Sequence, residues 1–144
     1  MSILDGGAAD DSASFYPCLR VLILLPIKYD PRDAITPNQD IEAEKFIDVQ
    51  LLLTGRYDGI TILQPYEPPF VEGWWQSGGT IYPPEHNRLI DIVTRSLPEQ
   101  AARQAEKDWL LKEMYLFIRR EFRQDDIFLL VQEVERARLT NGSR

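Results

Sequence analysis

The stretch PPEH (83–86) carries the residue types that acid–base chemistry requires. His86 is the only histidine of the chain, and imidazole is the side chain whose charge changes near neutral pH. Glu85 is a candidate proton acceptor beside His86 as the acid, and Asp91 is a second candidate acceptor. Neighbouring residues of an extended segment point in opposite directions, which weakens the Glu85–His86 pair as a catalytic unit. The competing interpretation is a solvated loop in which Glu85 pairs with a cation such as Arg88.

The segment GWWQSGGT (73–80) places Trp74 and Trp75 just before a glycine pair. Gly78-Gly79 can supply the positive φ angles of a tight hairpin, so the segment predicts an aromatic arm between two strands. Alternation along a strand prevents both tryptophans from entering the same core. One of them is therefore a candidate contact for a ligand or a protein partner.

The chain offers little metal or cofactor chemistry. Cys18 is the only cysteine, so an intramolecular disulfide and a cysteine-rich metal site are both excluded. Because Cys18 begins an apolar run, we interpret it as a small buried hydrophobe. The sequence contains no GxGxxG, P-loop or GxSxG motif. We expect neither a metal nor a cofactor.

Composition indicates one globular domain. The chain has 144 residues, of which 44% are hydrophobic and 27% charged. Its net charge of −7 disfavours binding to nucleic acid or to an anionic membrane. The longest apolar run, VLILLPI (21–27), is too short to span a bilayer. We expect a cytoplasmic protein with a flexible acidic tail at 1–16, one domain at 17–138 and a flexible tail at 139–144.

The order of predicted elements is strand, helix, strand, strand, helix, strand. Thr36 in TPNQ (36–39) is a candidate helix cap and Gly55 a candidate helix end. A second helix is predicted from SLPE (96–99) to about Phe122. The order is that of an α+β, ferredoxin-like βαββαβ sandwich, in which a four-stranded antiparallel sheet carries two helices on one face. Right-handed crossovers place the first and third strands centrally, with the hairpin arm extending from the second and third.

Helical periodicity predicts which residues face the core. For the first helix the apolar stripe is Ile41, Phe46, Val49, Leu52 and Leu53. For the second it is Leu111, Met114, Tyr115, Ile118 and Phe122. Trp109 and Leu116 fall away from that stripe, where they are either covered by a tail or form a docking patch.

Two helices cover only one face of the predicted sheet. On the third strand, Ile90 and Ile92 are expected under the helices, with Leu89, Asp91 and Val93 on the other side. The outward set of the first strand is Arg20, Leu22 and Leu24. A sheet face this apolar is expected to meet a second copy, another protein, a ligand or the hairpin arm.

Residues 59–135 resemble a family of small bacterial proteins of unknown function with a ferredoxin-like fold. The resemblance is carried by GIT (59–61), GWW (73–75), the GGTI turn (78–81), Glu85 and FRQDDI (122–127). The resemblance implies the fold and supplies no catalytic residue. The insertion QPYEPPFVE (64–72) and the acidic N-terminal segment depart from the family pattern.

Three functions are compatible with these patterns. The first is a non-catalytic assembly protein, a homodimer or one that binds a protein partner, contacting it through Trp74, Trp75, Trp109, Leu22, Leu24 and Leu89. The alternative is a small-molecule isomerase or hydrolase of the dimeric α/β type, with an acid–base site near Glu85 and His86. The third is an acidic inhibitor that mimics nucleic acid, which the interleaving of acidic and basic residues disfavours.

Overall fold

A computed structural model of the protein describes residues 12–57, 61–63, 71–73, 76–77, 80–81 and 85–140. Its strands are β1 (Ala13–Pro26), β2 (Thr61–Leu63), β3 (Val71–Gly73), β4 (Gln76–Ser77), β5 (Thr80–Ile81), β6 (Glu85–Val93) and β7 (Phe128–Leu139). Helix α1 is Ala43–Tyr57. A second helical segment comprises α2 (Gln100–Trp109), a π-helical stretch (Leu110–Tyr115) and α3 (Leu116–Glu121).

Strands β6 and β1 occupy the inner positions of the main sheet. The strand order is β2-β6-β1-β7, and every pairing is antiparallel. Strand β3 also pairs with β6, at residues 85–87, which precede the residues 89–91 that pair with β2. Strands β4 and β5 form a separate two-stranded ribbon. The combination of an antiparallel sheet with two helical segments confirms the α+β class.

One hydrophobic core lies between the sheet and the helical segments. It takes alternate residues of β1 and β6, because successive strand residues point to opposite faces. Ile90 and Ile92 are buried on the helix side, and Leu89, Asp91 and Val93 are only partly covered, which confirms the predicted faces of β6. The remaining core members from β1 and the helices are Val21, Ile23, Leu25, Phe46, Val49, Leu53, Leu110, Met114, Ile118 and Phe122.

The predicted start of the first helix is wrong, because TPNQ forms a turn. The N–H of Gln39 donates to the carbonyl of Thr36 at 3.3 Å, and Asn38 has a φ of 60°. Proline second and a left-handed asparagine third are the sequence of a type II turn. The helix begins only at Ala43, and Gly55 lies inside it instead of ending it.

The second helical segment contains a π-helical stretch, and its buried stripe includes Leu110 where Leu111 is predicted. Leu110 is fully buried, whereas the predicted Leu111 is 56% exposed. Core residues recur here every four positions, at Leu110, Met114, Ile118 and Phe122. In an α-helix a four-residue step overshoots a full turn by about 40°, and the wider π turn takes up this excess. Residues spaced four apart therefore remain on the side of the helical segment that faces the core.

Two further expectations are corrected by the structure. β1 starts at Ala13 and pairs with β7 as far as Leu139, so residues 13–16 belong to the sheet, whereas they were predicted as tail. Leu52 is 40% exposed because it lies off the buried side of α1. Residues 1–11 and 141–144 lie outside the described residues.

None of the helices in the described segments is both long and apolar enough to cross a membrane.

Candidate functional site

The side of β6, β1 and β7 opposite the helices is the candidate site, called here the open sheet face. Cross-strand register arranges its side chains in rows, since residues directly opposite each other share a face. One row is Leu89–Leu24–Phe128, and the next is Asp91–Leu22–Leu130. Phe128 is 52% exposed and Leu130 is 38% exposed, whereas the three central leucines are partly covered. The strands therefore hold a continuous apolar surface in a fixed geometry.

One ion pair lies within that apolar surface. The Nε of Arg20 donates to Oδ1 of Asp91 at 3.2 Å, and a terminal nitrogen donates to Oδ2 at 2.8 Å. The bond to Asp91, followed by its charge, raises the pKa of the Arg20 guanidinium. The two residues join β1 to β6 diagonally, because Arg20 lies opposite Val93 and Asp91 opposite Leu22. The predicted outward orientation of both residues is confirmed.

The three candidate catalytic residues are separated along β6. Asp91 already accepts two hydrogen bonds from Arg20, so its carboxylate is held as one half of an ion pair. At the start of the strand, Glu85 lies opposite Gly73 and His86 opposite Glu72 in the backbone register. The side chains of Glu85 and His86 lie outside the described part of the chain. The backbone thus places these two residues at the β3–β6 edge, six and five positions before Asp91.

Two buried polar residues follow the Glu85–His86 pair, and sequence reasoning missed their burial. Asn87 and Arg88 are both about 95% covered. The Arg88 guanidinium lies 4.0 Å from the centre of the Phe46 ring, a cation–π contact beneath the helices. Alternation could have revealed this position, because Arg88 is in phase with the buried Ile90 and Ile92. The solvated environment expected for Arg88 is therefore wrong.

Of the three candidate contact tryptophans, Trp74 and Trp75 lie outside the described residues. Trp109 packs against the core, contrary to the position predicted for it. Its ring meets the Tyr57 ring edge-on at 6.2 Å and is covered by the Arg56 guanidinium at 3.8 Å. The end of α1 accounts for this partial burial, because its last two residues, Arg56 and Tyr57, both contact the Trp109 ring.

A carboxylate completes the junction around Trp109. Glu106 accepts from Nε of Arg56 at 2.7 Å and from the hydroxyl of Tyr57 at 3.0 Å. Burial, then the charge of Glu106, strongly raises the pKa of Tyr57. These contacts tie the end of α1 to α2, a structural role for Trp109 within the chain.

The segment DPRD (30–33) forms a turn in which the two aspartates accept different hydrogen bonds. Asp30 pairs with Arg32 at 3.1 Å. Asp33 accepts the N–H groups of Ile35 at 3.1 Å and Thr36 at 2.7 Å. The bond from Thr36 lowers the pKa of Asp33. Both carboxylates therefore stabilise the turn.

Comparison with known proteins gives a likeness in fold. No protein-family model and no curated protein matches this chain. A solved structure, a phage SAM lyase in complex with S-methyl-5'-thioadenosine, matches with a TM-score of 0.50 and 15% sequence identity. The match covers 88% of this chain and 93% of the lyase chain. At this identity the likeness concerns the fold alone.

Proposed function

We propose that this chain is an assembly protein whose copies associate through the open sheet face. The observation that supports the proposal is the pair of adjacent rows, Leu89–Leu24–Phe128 and Asp91–Leu22–Leu130. Apolar surface gathered on one rigid face is typical of protein–protein contacts, since its removal from water favours association. The face is supported by antiparallel strands, so little ordering is needed on binding.

A second copy of the chain is the proposed occupant, because the open sheet face is locally neutral although the whole chain is acidic. The protein carries a net charge of −7, so two copies repel each other over most orientations. The next row along the open sheet face is Val93–Arg20–Gln132. The three rows together carry one positive side chain, Arg20, and one negative side chain, Asp91, so their net charge is zero. In a two-fold symmetric contact, if a residue of the first copy contacts a given residue of the second, the reverse contact is also made. Arg20 of one copy can then approach Asp91 of the other.

We also propose that the fold is the ferredoxin-like βαββαβ sandwich. Supporting observations are the strand order β2-β6-β1-β7 and the two helical segments that share one core. If β2, β6 and β7 are counted as second, third and fourth strands, the spatial order is that of the split βαβ arrangement. In this fold the two helical segments cover one face of the sheet and leave the open sheet face to other contacts.

Sedimentation velocity over a range of concentrations tests the assembly. Leu130→Asp puts a charge into the second row and should shift the protein to monomer. Leu111→Asp is the control, since Leu111 is also an exposed leucine but lies on the helical side. It should associate as the wild type does. A monomeric wild type at every concentration, or equal loss of association in both variants, would contradict the proposal.

A second candidate function is the binding of an adenosine ligand that carries sulfur. It is favoured by the fold likeness, because the matching structure is a lyase in complex with such a ligand and the match spans most of both chains. In this chain the ligand would lie near the β3–β6 edge, with Glu85 as proton acceptor and His86 as acid. Glu85 lies opposite Gly73 there in the backbone register, and a glycine within a strand often marks a site where a ligand approaches closely.

Calorimetric titration with S-methyl-5'-thioadenosine tests this second function, together with chromatographic analysis of S-adenosylmethionine incubated with the protein. Binding or breakdown that is lost in Glu85→Gln with His86→Ala, but kept in Glu44→Gln on the exposed surface of α1, would support it. Neither binding nor breakdown by the wild type would exclude it. The assembly proposal would be unaffected by that result.

A further inference from the structure

A small open cavity lies at the end of the second helical segment, away from the open sheet face. Its volume is about 240 Å³, and it is lined by Leu116, Arg119, Arg120, Arg123 and Gln124. The first four lie at positions i, i+3, i+4 and i+7 of the helix and the turn after it, so they follow one side. Among the described residues, three guanidinium groups and no carboxylate line the cavity, in a chain whose net charge is −7.

Two of the three arginines are held in place by the protein. The Nε of Arg119 donates to the carbonyl of Asp125 at 2.9 Å. Arg123 donates to the hydroxyl of Thr36 at 2.6 Å, lies 3.4 Å from Asp33 and stacks 4.2 Å from the centre of the Tyr29 ring. Donors fixed in this way lose little entropy when an anion binds.

The third arginine is exposed and makes only long contacts within the part of the chain that the structure describes. The Nε of Arg120 lies 3.7 Å from a carboxylate oxygen of Glu121, and its guanidinium lies 5.8 Å from the centre of the Phe117 ring. Glu121 and Asp33 offset part of the positive charge, and both lie outside the lining of the cavity. The helix dipole stabilises basic residues in the last turn of a helix, which explains the presence of Arg119 and Arg120 there. The dipole does not explain why three arginines line one cavity.

We propose that this cavity binds a phosphate group, either as the free ion or as part of a phosphate monoester. Guanidinium groups pair with phosphate oxygens through two parallel hydrogen bonds, and such charge-assisted bonds are the strong ones. Leu116, half exposed at the same cavity, provides an apolar surface for the organic part of an ester. The site is independent of the assembly proposal.

Phosphorus-31 and arginine Nε–H NMR titrations of the full chain test the site at constant ionic strength. The probes are inorganic phosphate and a nucleoside monophosphate, with chloride as the reference anion. Arg120→Ala should weaken phosphate binding at least about tenfold. Lys112→Ala, which removes another exposed cation of the same helical segment, should leave it within about twofold.

Tighter binding of the monoester than of the free ion would support an ester as the ligand class, and equal binding would support the free ion. Arg119→Ala serves as a second variant and should also weaken binding, with circular dichroism confirming an intact fold. Absence of any phosphate-specific shift, or equal weakening in Lys112→Ala, would overturn the proposal.

Discussion

Arg20 and Asp91 form a bidentate ion pair inside an otherwise apolar region of the sheet, and the pair links adjacent strands β1 and β6. Both side chains keep some contact with solvent in the single chain, so the pair contributes little to its stability. A second copy placed over the open sheet face would remove that solvent. An ion pair in such a contact determines which partner fits more than how tightly it binds.

Charge reversal at this pair should therefore change association and leave folding nearly unaffected. We expect Arg20→Asp to weaken self-association at least about tenfold, because two carboxylates then face each other at a desolvated contact. The exchange of both residues, Arg20→Asp with Asp91→Arg, should restore it. Sedimentation measures association, and urea unfolding checks the fold. Arg95→Asp, at an exposed position just after β6, is the control; loss of association there too would point to net charge instead of the pair.

Because of the π-helical stretch, we expect substitutions of two neighbouring leucines to have different effects on stability. Leu110 is fully buried and Leu111 is 56% exposed. Leu110→Ala should lower the free energy of unfolding by about 2–5 kcal/mol, since it leaves a cavity in the core. Leu111→Ala should change it by no more than about 0.5 kcal/mol. Urea unfolding of both variants measures the difference. The reverse ranking would restore the α-helical stripe that sequence periodicity predicts.

The faces of the central strands could be predicted from the sequence because the period of a strand is fixed at two residues. Once Ile90 and Ile92 are placed under the helices, Leu89, Asp91 and Val93 must lie opposite. Helical periodicity is less secure, since a π-helical stretch changes the spacing of the buried residues. Leu110 is buried in place of Leu111, whereas Met114, Ile118 and Phe122 are buried as predicted.

Local sequence signals did not predict the structure where the same short sequence is compatible with two conformations. Thr36-Pro37 can open a helix, but with Asn38 it also satisfies a type II turn. A bridge between Lys28 and Asp40 keeps this segment beside the end of β1, and the turn follows from that long-range contact. The Trp109 environment likewise depends on Arg56 and Tyr57 from another helix, which spacing along one helix could not predict.

Tyr57 should make stability fall at alkaline pH. Its pKa is raised above the ordinary value of 10 by burial and by Glu106, so the unfolded chain releases the Tyr57 proton first as the pH rises. The contribution of Tyr57 is complete below pH 10 and declines above it. At neutral pH, Tyr57→Phe should cost about 1.5–3 kcal/mol, since it removes the bond to a carboxylate.

The difference in unfolding free energy between wild type and Tyr57→Phe should therefore shrink above pH 10. Urea unfolding of both proteins at neutral and alkaline pH measures it, and the comparison cancels the other tyrosines. A difference independent of pH would show that the Tyr57 proton is not held by the fold.

Arg123 provides a prediction about backbone conformation, because it has a φ of 48° just after α3. The N–H of Gln124 donates to the carbonyl of Arg119 at 3.1 Å, and that of Arg123 to Arg120 at 3.3 Å, which together form a Schellman motif. Glycine suits this left-handed position, whereas alanine there costs about 1–2 kcal/mol. Arg123→Gly should be more stable than Arg123→Ala, although both lose the contacts with Tyr29 and Thr36.

The same pair of substitutions at Arg120 should give the opposite order. Arg120 lies in the helical part of α3, where glycine is about 1 kcal/mol less favourable than alanine. Urea unfolding of the four variants measures both differences, and the reversal of sign separates backbone strain from loss of a side chain. If alanine were preferred at both positions, Arg123 would not be held in the left-handed region, and the turn that positions it at the arginine-lined cavity would have a different geometry.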